Sequence, residues 1–303
     1  MKISAGRNDT GKRSSRLRRR DQFSAWLFMV PGILATLWLR YYPIAKAAYM
    51  SLFNYDPVSP PGQFVGLKNY TNLFKTDFYW QAWANTFVFL LLTLVLVFWV
   101  PLVQAIFLND LNKGRKFFTT VYLLTTLIPM SVNVIIWKWI WNPEYGVANS
   151  LLQLFGGDPQ LWLSNPDLTK FCIIFPGIVG GGVNVLLYLA AIQSIPTDIY
   201  EAAALDGCIG WKKITRIVLP NIRFIIVIQL VLTCISAMQI LDVPFQYASG
   251  GPSGASTSMG VYIYNAVYTD LSYGKATAAS VTLFVVIAVL TVIQMRLDRS
   301  EAS

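Results

Sequence analysis

Ile195-Pro-Thr-Asp-Ile-Tyr-Glu-Ala-Ala-Ala-Leu-Asp-Gly-Cys-Ile-Gly-Trp-Lys-Lys-Ile-Thr-Arg-Ile-Val-Leu-Pro220 separates two strongly apolar stretches of a 303-residue chain. The stretch reads as two short helices joined by a turn. Pro196 stops the incoming apolar segment. Asp198, with Glu201 three residues on, has the spacing of a capping box. Ala202, Ala203 and Ala204 are strong helix formers without bulk. Gly207 can take the left-handed conformation that ends a helix. Gly210 opens a second helical run and Pro220 closes it. The small alanine face suits close approach by another protein, and Glu201 offers an anchor for a cation on that partner. Lys212, Lys213 and Arg216 suit equally well an amphipathic helix lying on a membrane. Pattern alone leaves both readings open.

On either side of this loop the chain is built from segments long enough to cross a bilayer, which takes roughly 20 residues each. Six are expected, at 25–42, 86–108, 117–140, 171–192, 224–243 and 276–295. Pro129 and Pro176 predict kinks in the third and fourth. Lys and Arg set the orientation. Eight of them, from Lys2 to Arg20, precede the first span. More fall in the second connection (Lys113, Arg115, Lys116), in 195–223 and after the last span (Arg296, Arg299). All lie on one side if the chain crosses six times, so both termini are expected in the cytoplasm. Aromatic residues such as Tyr41, Tyr42, Trp137, Trp139 and Trp141 gather at the other interface, as membrane belts do.

Composition narrows the chemistry. Hydrophobic residues make up 55% of the chain, and mean hydropathy is +0.50, which points to membrane insertion with lipid as a partner. The net charge of +9 is concentrated in the N-terminal tail, where it reads as a topology signal and not as a nucleic-acid surface. There is no histidine, and Cys172, Cys208 and Cys234 are scattered, so neither a metal site nor an acid–base catalyst is expected. No GxxxxGK[ST] phosphate loop occurs, so ATP is not bound by that route.

The run Glu201-Ala-Ala, two residues, Asp206-Gly207, nine residues, Ile217, one residue, Leu219-Pro220 resembles the EAA loop of ABC importer permeases. The likeness extends along most of the chain. Gly66-Leu67-Lys68-Asn69-Tyr70, Phe78 and Asn85-Thr86 are similar to the carbohydrate branch of that family. So are Pro129, Trp137, Asn142, Gly146 and Asn149, and Gly250-Gly251-Pro252 with Thr257 and Tyr262. Cys208 stands where Ala is usual, Ala248 where Thr is usual, and Pro244 replaces an apolar residue. The resemblance implies an all-α membrane protein of six transmembrane helices with the type I, MetI-like importer architecture. It divides the chain into a basic cytoplasmic tail, 1–23, and a transmembrane domain, 24–303, with the coupling loop at 195–220. It further implies a bacterial inner-membrane location, a second homologous permease, two ATPase subunits carrying ATP and Mg, and an extracytoplasmic solute-binding protein. Glu201, Ala202, Ala203, Asp206, Gly207 and Pro220 are then the ATPase-coupling residues, and Gly250, Gly251 and Pro252 face the binding protein.

Polar residues inside spans mark a candidate solute pathway. Gln229, Thr233 and Ser236 form one helical stripe on the fifth span. Gly180, Asn184 and Tyr188 form another on the fourth, and Asn133 lies on the third. Amides, hydroxyls and an aromatic ring suit a sugar. The same small and polar residues also suit helix–helix packing, for which Gly177-x-x-x-Gly181 is a motif. In maltodextrin members of the family, sugar contacts come from positions matching Thr126, Met130, Pro176, Ala237 and Ile240, mostly apolar here. Maltose itself is therefore not expected. The alternatives are glycerol 3-phosphate or a polyol carried by the same kind of importer, and an ion-coupled carrier. The last would want mid-membrane carboxylates, whereas Asp242 lies only near a span end.

Overall fold

The computed structural model describes residues 26–111 and 113–301, so the basic tail at 1–23 lies outside the described residues. Three helices are continuous and long enough to cross a membrane: Trp26–Met50, Asp77–Asp110 and Tyr273–Arg296. Three more spans are bent pairs: Arg115–Thr126 with Met130–Ile140, Pro166–Val179 with Gly182–Gln193, and Trp211–Asn221 with Arg223–Met238. Counting each pair once gives the six expected crossings.

Several boundaries differ from expectation for identifiable reasons. The second span starts at Asp77 instead of 86; at 34 residues it is about 51 Å long, well beyond a hydrocarbon core of roughly 30 Å. Its first turns therefore rise out of the membrane. The third span is no mildly kinked helix over 117–140, because its halves meet at 95°. Pro129 caps the second half in an extended conformation (ψ 140°). The fourth span bends by 46°, but at Gly180–Gly181 and not at Pro176. Pro176 sits in the first turn of its segment, where a missing N–H is harmless. Gly181 has φ +95°, a conformation that needs glycine. The fifth span ends at Met238 instead of 243, and a separate helix, Asp242–Ala248, follows. A two-stranded hairpin, Phe53–Asn54 paired with Gln63–Phe64, also interrupts the all-α pattern.

The glycine motif is a packing device. A Cβ on Gly177 would lie 2.9 Å from Val97 Cγ2, and one on Gly181 would lie 2.9 Å from Pro101 Cγ. The two glycines thus meet two residues one turn apart on the second span. A Cβ on Gly182 would collide with the Tyr122 carbonyl oxygen of the third span. Small residues let membrane helices approach closely where burial from water no longer drives association. The outer connections are held by amides. Asn69 donates to Ser51 O (2.8 Å) and Phe53 O (2.9 Å). Asn149 donates to Pro143 O (2.8 Å) and accepts from Trp162 Nε1 (2.7 Å).

Candidate functional site

The cytoplasmic loop forms two helices. The first is Thr197–Leu205, with Pro196 at the cap position. Asp198 therefore falls inside the first turn, where its charge suits the helix dipole, and the expected capping box does not form. The other end closes as expected. Gly207 has φ +69°, its N–H donates to Ala204 O (3.1 Å), and the Cys208 N–H donates to Ala203 O (2.7 Å). That pair of bonds is a Schellman motif. Gly210, φ +56°, then opens Trp211–Asn221. Pro220 does not end this run. A wider π turn, Ile214–Val218, precedes it, with Leu219 N–H bonded to Ile214 O, and the helix stops one residue after the proline. The wide turn keeps the proline ring clear of the carbonyl it would otherwise strike. The next helix, Arg223–Met238, leaves at 72°.

The loop has an inner and an outer face. Val218 and Ile222, both 2% exposed, pack with Leu108 and Ile192, and Tyr200 packs against the same cluster. Burial, and after it the Asp110 carboxylate, push the Tyr200 hydroxyl above the ordinary tyrosine range. Lys213 Nζ reaches Asp110 Oδ1 at 2.8 Å, tying the loop to the cytoplasmic end of the second span. Glu201, Ala202, Asp206, Gly207 and Pro220 are exposed on the outer face. Ala203 is a correction: it is 7% exposed and faces the protein, because a helix turns its middle alanine away from its neighbours. Three apolar side chains that sequence reasoning passed over stand out beside the acidic residues: Leu205 (91% exposed), Ile209 (69%) and Trp211 (74%). Apolar residues breaking the polarity of a cytoplasmic turn were the available signal.

All six pathway candidates line two adjoining cavities. The larger, about 650 Å³, takes in Asn133 and Ser236; the smaller, about 500 Å³, takes in Asn184, Tyr188, Gln229, Thr233 and again Ser236. Val97 and Gly177 border both. Gln229 Nε2 donates to Asn184 Oδ1 at 3.1 Å across the smaller cavity. The Tyr188 side chain is buried, and its hydroxyl has no hydrogen-bond partner among the described residues. Met130, Pro176, Ala237 and Ile240 supply much of the larger cavity's apolar wall, while Thr126 does not line it. Gln239, Asp242 and Tyr247, outside the candidate set, line it as well.

The outer loop is less open than expected. Gly250 is buried, Gly251 and Pro252 are half-buried, and only Ser249 and Ser253 project fully. The loop folds onto the second and fourth spans through a knot of polar bonds. Asn85 Nδ2 donates to Gly254 O (2.8 Å) and Thr257 O (3.0 Å). Lys170 Nζ donates to Asn85 Oδ1 (3.2 Å) and Ala255 O (3.0 Å). Thr86 Oγ1 accepts from Met259 N (2.8 Å). Asn85-Thr86 and Thr257 are among the residues that carry the family resemblance, whereas Lys170 is not.

Residues 105–302 match the family described as "Binding-protein-dependent transport system inner membrane component". The chain is 31% identical to the "Probable ABC transporter permease protein YurN" of Bacillus subtilis, over 89% of this chain and 94% of the relative. It is 28% identical to the "Trehalose/maltose transport system permease protein MalF" of Thermococcus litoralis, over 94% and 97%. It is 31% identical to the "sn-glycerol-3-phosphate transport system permease protein UgpA" of Escherichia coli, over 95% and 98%. In three dimensions it is similar to a chain of the bacterial alginate ABC transporter in complex with alginate pentasaccharide-bound periplasmic protein. That match has a TM-score of 0.82 at 25% identity and covers 93% of this chain and 96% of the other.

Proposed function

We propose that this chain, which belongs to the binding-protein-dependent transport system inner membrane components, forms half of the membrane pathway of an ATP-driven sugar importer. A second, homologous permease supplies the other half. Two ATPase subunits, carrying ATP and Mg, act from the cytoplasm, and an external binding protein delivers the solute. The chain itself performs no bond chemistry.

The observation that carries the cargo reading is the lining of the two pathway cavities. It offers amides, hydroxyls and rings, with no Lys or Arg and the single carboxylate of Asp242. Such a surface suits a neutral, hydroxyl-rich solute. The drive reaches it by a short mechanical route. The loop at 195–220 presents Glu201, Asp206, Leu205 and Trp211 to the ATPase. Movement of the loop acts on the second span through Lys213 and Asp110, and on the fifth through the 72° elbow at Ile222. The fifth span carries Gln229, Thr233 and Ser236, so displacement at the elbow changes the shape of the pathway.

A second reading, import of glycerol 3-phosphate, is favoured by the 31% identity to a permease named for that solute. An anion calls for cationic partners, which here would have to come from the second permease. The two readings are separated by ATP-dependent uptake into proteoliposomes holding the whole importer and its binding protein. Labelled trehalose is expected to accumulate and labelled sn-glycerol 3-phosphate is not. Accumulation of the phosphate alone reverses the assignment.

A further inference from the structure

A third cavity, of about 590 Å³, lies on the extracytoplasmic side, where Met259–Tyr268, Asp242–Ala248 and the outer end of the second span meet. Its size falls within the roughly 300–1,000 Å³ typical of small-molecule pockets. Its walls are aromatic. The Phe245 and Tyr264 ring centres are 4.5 Å apart, and those of Tyr264 and Tyr268 are 4.6 Å apart. Phe78 and Tyr262 form another pair at 6.0 Å.

The polar groups are as informative as the rings. Lys275 Nζ lies 2.9 Å from Asp270 Oδ2 and stands 5.2 Å from the centre of the Tyr262 ring. The cavity thus carries two charges that cancel, together with the Asn265 amide. Tyr262 is 3% exposed, so Tyr264 and Tyr268 supply the accessible ring faces. Rings that cover an apolar face, with neutral donors and acceptors around them, match a sugar ring.

Position gives the cavity a role. The helix Asp242–Ala248 borders two sites. Its Asp242 and Val243 line the larger pathway cavity, while Phe245 and the following Ser249 line the outer one. Tyr247 lines the pathway cavity as well, so the two cavities lie against different faces of this one helix. We propose that the outer cavity is a first sugar-ring subsite, which receives a neutral saccharide on the delivery side and passes it to the pathway cavities. This inference rests on the sugar-importer reading.

The test uses the assembled permease–ATPase complex without binding protein and reads saturation transfer to trehalose ring protons by NMR. The wild-type signal is expected to fall at least fivefold in Tyr264→Ala and Asn265→Ala. It is expected to survive in Tyr264→Phe, which keeps the ring. Tyr268→Ala, at a 68% exposed position, is a further variant that should fold normally and lose signal. An absent wild-type signal overturns the subsite. So does a signal indifferent to the three alanine variants. If the pocket instead seats a side chain of the binding protein, the alanine variants weaken binding-protein association while the trehalose signal stays unchanged, and the subsite is again overturned. Failure of the importer reading appears separately, as a wild-type importer that takes up no trehalose.

Discussion

Lys213 of the cytoplasmic loop and Asp110 at the end of the second span meet at 2.8 Å, 103 residues apart in sequence. Their side chains are 27% and 47% exposed, so the pair contributes only about 0–1 kcal/mol to stability. Its value is mechanical. Asp110→Lys is expected to lower ATP-dependent uptake several-fold with a change of about 1–2 °C in unfolding midpoint, the size expected for so small a stability term in a chain this long. Adding Lys213→Asp should restore uptake. Transport by the single and double variants in proteoliposomes checks this, and an unaffected single variant removes the pair from the coupling route.

The Asn184–Gln229 bond spans the smaller pathway cavity. Gln229→Leu removes this hydrogen bond at an exposed position, a loss of about 0.5–1.5 kcal/mol. Uptake is expected to drop about tenfold while ATPase association stays intact. Gln229→Glu keeps a polar partner and should retain more transport than Gln229→Leu. The comparison of initial uptake rates decides whether the bond belongs to the pathway or merely to packing.

Asn85 ties the outer loop to the second span and accepts from Lys170. Asn85→Ala removes the acceptor and both donated bonds together. Thermal unfolding of the complex should register a loss of about 1–3 kcal/mol. Limited proteolysis should begin to cut near Ser253, the exposed tip of the loop. Unchanged protection there would mean that the knot does not hold the loop.

Gly181 combines a left-handed backbone with close approach to Pro101. Gly181→Ala is expected to destabilise by about 1–3 kcal/mol, through strain and overpacking together. Gly207→Ala, where nothing lies near a new Cβ, carries the backbone strain alone and should cost less. Unfolding midpoints of the two variants give the comparison.

Much of this was legible in the residues, and the misses share a cause. Asn184, Tyr188, Gln229, Thr233 and Ser236 stand out because polar groups inside apolar runs are expensive, and their spacing places them on helix faces that meet. Gly207 likewise announces its own backbone. Pro129 reveals a lost hydrogen bond but not an angle, so a 95° elbow could not be told from a kink. The spacing of Asp198 and Glu201 fits a capping box only if the helix starts at Asp198, and Pro196 starts it earlier. Which alanine faces inward depends on what packs beneath the loop. The Asn85–Lys170–loop knot joins three distant segments, and no local pattern carries that information.

The outer face of 195–220 is expected to seat the ATPase, and co-purification measures this. The permease pair is expressed with its ATPase, and the ATPase retained on a tagged permease is quantified for wild type and for Leu205→Glu/Trp211→Glu. Both changes lie on side chains more than 70% exposed, so folding should survive. At least nine-tenths of the retained ATPase is expected to be lost while the two permeases stay together. Full retention of the ATPase by the double variant would contradict this seating.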